Sequence, residues 1–196
     1  HSDEDHISDA EQILMENRVR LFMHPGDDHP NSSLPGLRAL ITERADREID
    51  LAGSEEPPAF GSIFPVGRAR ARFIAGWDDG HETEGEDETP LRDAPLRNAV
   101  SIVVRFEYAG RSVLLTGDTI GRLNRDGDPL ACRYAEARMV ENARRRPSAL
   151  RIDSDVLVGQ HHGGDNSSSD CFIRAVSPRF VIFSAGRSHE HPAAST

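Results

Sequence analysis

The stretch that most restricts the fold is residues 101–118, SIVVRFEYAGRSVLLTGD. Ile102, Val104 and Phe106 alternate in its first half, Val113 and Leu115 in its second, and Ala109-Gly110 separates the two runs. Alternation with period two marks a half-buried strand, and a short connection containing Gly turns one strand back on its neighbour. The chain is therefore built around a sheet. The segments on either side decide what covers it.

Downstream, PLACRYAEARMVENARRR reads as a helix with a basic C-terminal end, SDVLVGQHHGG as a buried strand ending in two histidines, and SSSDCFIRAV as a short helix. RFVIFSAG is a further buried strand running into RSHEHP. Upstream, Ile7, Ala10, Ile13, Leu14 and Asn17 have helical spacing, Val19, Leu21 and Met23 alternate as a strand, and HPGDDHPNSSLPG is turn-rich. Leu37, Leu40 and Ile41 mark another short helix, and a strand region follows at about Ser62 to Trp77. Helices interleaved with strands give an α/β class, and the expectation is one domain over 1–196. Within it, residues 78–95 are acidic and poor in apolar side chains, which predicts a mobile surface loop.

Charge and cysteine content narrow the function. A formal net charge of −10 argues against a sequence-independent grip on DNA, which depends on Lys and Arg at the phosphates. RARARF sets Arg68, Arg70 and Arg72 on one strand face, read as solvated, with a phosphate-facing role as the alternative. Cys132 and Cys171 lack CxxC spacing and suggest neither a disulfide framework nor a thiolate zinc site. No run of 18 apolar residues exists, so no membrane contact is expected of this segment. Compartment and oligomeric state are left open.

Polar clusters stand where strands give way to loops: His1 to His6, Asp118, His161 with His162, and His191. Imidazole and carboxylate together suit Zn²⁺, Mn²⁺ or Fe²⁺ in an open site. Their order resembles that of metallo-β-lactamase-fold hydrolases, and more closely the hydrolase domain of ComEC-type DNA-uptake (competence) proteins. His1-Ser2-Asp3-Glu4-Asp5-His6 matches the branch's H-x-D-x-D-H, LLTGD its T/S-G-D, HHGGDNSSS its H-H-G, and FSAG followed by His191-Pro192 its last motif.

The resemblance implies an αββα sandwich, here without the N-terminal strands that relatives place ahead of the opening motif, and hence a fragment. It also implies two divalent metal ions, Zn or Mn, held by His1, Asp3, Asp5, His6, Asp118, His161 and His191. Asp118 would bridge them. Asp5 and His162 would serve the chemistry, with His161 favoured as the ligand of the histidine pair. Asn98 stands where the superfamily often has another ligand His, and Asp3 replaces a His of the wider family, which shifts preference toward Mn²⁺.

The reaction implied is hydrolysis by a metal-activated hydroxide, on a small-molecule or nucleic-acid phosphodiester. Ester, thioester or lactam hydrolysis, or a non-catalytic metal-stabilised DNA-uptake domain, are the alternatives. Taken singly, the acids near Ile7 could cap a helix, Asp118 could be a turn residue and His191 an exposed tail residue. His24, His29, His81 and His189 are expected to lie in loops and not to bind metal. The hydroxyls of Ser167, Ser168 and Ser169 are expected to mark a helix start, and Arg144 to Arg146 a solvated helix end.

Overall fold

A computed structural model describes residues 1, 3–26, 32–76, 93–123, 128–186 and 191–194. Ser2, His29, Trp77, His81, His189 and the part of the acidic stretch before residue 93 lie outside the described residues. The chain forms two compact units, His1–Pro58 and Ala59–Thr196. Among the described residues no helix is long and apolar enough to cross a membrane.

The first unit begins with α1 (Glu4–Ile7) and α2 (Ala10–Glu16), followed by β1 (Phe22–His24), α3 (Leu34–Arg44) and β2 (Glu48–Asp50). The helical periodicity from Ile7 is thus present but broken at Ser8-Asp9. Leu14, Leu34, Leu37 and Ile41 make the core, with Ile7, Ala10 and Val19 against it. Ile13 shares the helical spacing yet stands exposed. β1 and β2 run parallel, Met23 opposite Ile49, and β2 was not foreseen. Its three residues bury only Ile49, too little to show a period.

In the second unit, β3 (Ile63–Val66), β4 (Ala69–Ala75), β5 (Val103–Tyr108), β6 (Arg111–Leu115), β7 (Val156–Val158) and β8 (Phe180–Ile182) form one sheet in that order. The predicted hairpin is β5–β6, Tyr108 opposite Arg111. The expected strand region of residues 62–77 resolves into a second hairpin, β3–β4. β6, β7 and β8 are mutually parallel, so α5 (Tyr134–Arg145) and α6 (Asp170–Val176) lie in the crossovers between them. Val103, Leu114 and Leu157 on one sheet face pack with Met139 and Val140 of α5 and Phe172 and Val176 of α6. Full burial of each such side chain stabilises the fold by about 1.5–3 kcal/mol.

Four expectations need correction. The tail of the acidic stretch is helical, since α4 (Asp93–Ala99) begins at its third-last residue. β8 is an edge strand, not a buried one: Phe180 and Ile182 are 64% and 56% exposed. Cys132 and Cys171 form a disulfide, Cα atoms 5.6 Å apart. Bonds from the Asp170 and Cys171 N–H groups to the Pro129 and Leu130 carbonyls bring those remote segments together. His24 ends a strand and is buried, its Nε2 2.9 Å from Glu48 and its Nδ1 accepting the Gly26 N–H.

On the sheet face away from Leu114, the register aligns Val104, Leu115, Val158 and Ile182 in one row and Phe106, Val113, Val156 and Phe180 in the next.

Candidate metal centre

In the first unit the opening motif folds tightly. The His1 and His6 ring centroids are 4.1 Å apart, His1 Nδ1 lies 3.6 Å from Asp3 Oδ2, and His6 Nε2 lies 3.6 Å from Asp5 Oδ2. Asp3 occupies the N-cap position of α1 but makes no side-chain capping bond; its carbonyl oxygen accepts the His6 and Ile7 N–H groups instead. Capping therefore leaves the Asp3 carboxylate unexplained. Asp5 in the first turn gains from the helix dipole, a small effect that does not require a histidine on either side.

In the second unit, three of the remaining motifs meet. Thr116-Gly117-Asp118 ends β6, and Gly117 is dictated there: its φ is +54°, and a Cβ would lie 2.9 Å from that of Ser101. The close approach lets Ser101 Oγ accept the Asp118 N–H at 3.1 Å, which fixes a carboxyl group that is 4% exposed. Asp118 Oδ1 lies 3.6 Å from His162 Nε2, and Oδ2 lies 3.9 Å from His161 Nε2. Each carboxylate oxygen thus faces its own imidazole.

The tautomers follow from the outer partners. His162 Nδ1 is 2.6 Å from the Ser184 carbonyl, which can only accept, so Nδ1 carries the proton. His161 Nδ1 is 2.7 Å from Asn166 Oδ1, and the Asn98 amide approaches its Nε2 at 3.3 Å. Both rings therefore turn an unprotonated Nε2 toward Asp118, the state in which imidazole binds a metal. The His191 ring is 5.8 Å from that of His161. Gly163 explains why H-H-G and H-P belong together. Its φ is +86°, a Cβ there would lie 2.6 Å from Pro192 Cβ, and its carbonyl accepts the Ala193 N–H.

Backbone conformation is costly here. His161, His162 and Ser168 all have positive φ, at 46°, 54° and 56°, and non-glycine residues held so cost about 1–3 kcal/mol each. A buried network maintains them, and of its members sequence reasoning singled out only the serines. Gln160, fully buried, donates from Nε2 to Thr119 Oγ1 and accepts the Ser168 N–H at Oε1. Ser167 Oγ donates to the carbonyls of Gln160 and Gly164. The serine hydroxyls thus tie the loop; Ser169, at the N-cap of α6, makes no side-chain cap bond. Glu136 on α5 accepts the Ser169 N–H, and Arg122 donates to the Asp165 carbonyl and to Ser169 Oγ. Burial pushes the Glu136 carboxyl above its ordinary pKa, against the lowering pull of the Ser169 bonds and the Arg122 charge. No local pattern marks Gln160, Glu136 or Arg122, each of which has a partner more than thirty positions away.

The donor set fits divalent cations in each unit: carboxylate oxygens and imidazole nitrogens 3.6 Å apart, with no thiolate available because both cysteines are bonded. Comparison with known proteins agrees with that chemistry. The family model described as the metallo-beta-lactamase superfamily matches residues 1–179. ComE operon protein 3 of Bacillus subtilis (strain 168) is 26% identical over 199 residues, covering 98% of this chain and 20% of that protein. Competence protein ComA of Neisseria gonorrhoeae is 33% identical over 98 residues, covering 48% of this chain and 12% of that protein. The chain thus spans a fifth or less of the length of these relatives.

Proposed function

The chain belongs to the metallo-β-lactamase superfamily, and from that premise we propose that it is a divalent-metal-dependent hydrolase acting on phosphodiesters, with His1, Asp3, Asp5, His6, Asp118, His161 and His191 supplying the ligands of two cations, Zn²⁺ or Mn²⁺. His162, whose Nε2 is nearer to Asp118 than that of His161, serves the chemistry: its unprotonated Nε2 first takes up a proton and then gives it to the leaving group. The observation that carries the reading is the Asp118 carboxylate, with one oxygen toward each of two imidazoles whose outer nitrogens are tied down.

Bound cations would acidify a water and offset the negative charge that develops on the substrate. The chain's own residues do the rest. Ser101 and the Gly117 turn keep Asp118 in place. The Ser184 carbonyl holds the His162 Nδ1 proton, leaving Nε2 to exchange a proton with the reacting group. Asp5, exposed beside His6, is the proton acceptor on the attacking side. The competence name of the Neisseria gonorrhoeae relative supports a nucleic-acid phosphodiester over an ester, thioester or lactam.

The test is turnover of bis(p-nitrophenyl) phosphate against p-nitrophenyl acetate and a cephalosporin, each with Zn²⁺ and with Mn²⁺, beside metal content by elemental analysis. Asp118→Ala is expected to lose bound metal and to slow phosphodiester turnover by about 100-fold or more, since even the removal of outer partners costs 10- to 100-fold. Unchanged turnover in that variant removes the mechanism. Metal binding without turnover of any of the three substrates identifies a metal-stabilised, non-catalytic domain instead.

A further inference from the structure

The arginines of RARARF take no part in the hydrolytic reading. In the second unit, Arg68 and Arg70 line a cavity of about 350 Å³ together with Arg111, Arg151, Glu107 and Tyr108. A second cavity, about 490 Å³, is lined by Arg144, Arg151 and Arg174 with Asp153. Arg151 borders both. Six guanidinium groups thus follow one track against two lining carboxylates, in a chain whose net charge is −10. The chain contains no lysine, all 23 of its Lys and Arg residues being arginine.

The carboxylates nearby orient these groups and leave donors to spare. Arg70 pairs with Glu107, Arg111 with Asp155, Arg151 with Asp153 and Arg174 with Asp170. Such surface pairs contribute little stability, and each guanidinium keeps several of its five N–H groups. Underneath, Arg105 is buried and bonded to the Asp153 carbonyl, Ser154 and Glu107. Arg68 lies over the Tyr108 ring at 5.9 Å, and that ring is 52% exposed.

We propose that this arginine track is a docking surface for a single-stranded nucleic acid, separate from the Asp118 site. Planar guanidinium forks match phosphate oxygens two at a time. The open Tyr108 face, already paired with a guanidinium, is the element on which a base stacks. Concave cavities joined at Arg151 admit a strand, whereas a lipid surface calls for a convex or flat face. Arg111 opens β6 and Asp118 follows its far end, so the rise of the strand to Leu115 alone separates the two places by about 13 Å. One phosphodiester cannot reach both places, but a polynucleotide can, and binding on the track requires no hydrolysis.

The experiment is fluorescence anisotropy of the full chain with a fluorescein-labelled oligothymidylate of about 20 nucleotides, long enough for one binding surface, in chelator and over a salt series. Six phosphate contacts, one per guanidinium, give a log–log salt slope near −4, at about 0.7 per contact on a single strand. The triple variant Arg68→Gln, Arg111→Gln, Arg151→Gln is expected to bind at least ten-fold more weakly at low salt and to flatten the slope by about 2. It should hydrolyse bis(p-nitrophenyl) phosphate as the parent does. Asp118→Ala should bind the oligonucleotide as the parent does.

Arg144→Gln with Arg174→Gln, on exposed helix positions, gives an independent reading should the triple variant not fold, and is expected to flatten the slope by about 1.4. An unchanged slope in a folded variant overturns the proposal. So does binding to vesicles of phosphatidylglycerol by a protein that leaves the oligonucleotide free.

Discussion

Gln160→Ala tests whether the buried network, and not the histidines' own preference, maintains the loop that carries them. Gln160 has no exposed surface, and its side chain spans the gap between Thr119, next to Asp118, and Ser168. Truncation removes both bonds and leaves the Thr119 hydroxyl and the Ser168 N–H without their partner. Leaving a buried polar group unsatisfied costs about 1–3 kcal/mol, so two such losses cost about 3 kcal/mol, with a smaller addition from the vacated volume. In a urea titration followed by circular dichroism, with m near 2 kcal/mol/M, the midpoint falls by about 1.5 M. Gln160→Met refills the volume without the bonds and is expected to recover less than half of that shift. Calorimetry with Mn²⁺ should show about ten-fold weaker binding in both variants, because the neighbouring His161 loses its backing. A midpoint within about 0.3 M of the parent for Gln160→Ala, or full recovery by Met, refutes the reasoning; the corresponding losses would be below about 0.6 kcal/mol.

Two further outcomes follow from named contacts. Gly163→Ala places a methyl 2.6 Å from Pro192 Cβ at a φ of +86°, and a loss of about 2–3 kcal/mol is expected in thermal melts, from overpacking and backbone strain together. Glu136→Gln should change the pH dependence of stability. Burial raises the Glu136 pKa above 4.5 in the folded chain, so its contribution is full below the unfolded value and declines as pH rises through the folded one. The variant should therefore gain on the parent in urea midpoints as pH rises above the ordinary carboxylate range; a parallel offset at all pH values contradicts this. Glu107 works in the opposite sense. Burial alone would raise it, but the bond and charge of Arg105, with Arg70 and Arg72, hold it below 4.5, so its contribution is lost as pH falls through that lowered value.

What could be read from the sequence was what has a local signature. The β5–β6 hairpin and α6 have periods and turn residues of their own, and the motifs at Asp118 and at His161-His162 each carry a glycine where the backbone demands one. Other features lack such marks. β8 and a buried strand share the same apolar run, and only the sheet order shows that one flank of β8 is open. Cys132 and Cys171 are 39 residues apart, and Gln160 and Thr119 are 41 apart, so neither pairing exists until the parallel crossovers have folded. The expectation that the serines of residues 167–169 cap a helix rested on composition. Their actual partners, Gln160 and Glu136, are fixed by tertiary structure.

The open flank of β8 has a practical consequence. All three of its side chains are exposed and, among the described residues, its outer N–H and C=O groups line the margin of the sheet, which makes it a seam along which another polypeptide can lengthen the sheet. Concentration, more than heat, will decide how long a purified sample stays dispersed, and a proline or lysine introduced at Val181 is the first modification to make before crystallisation.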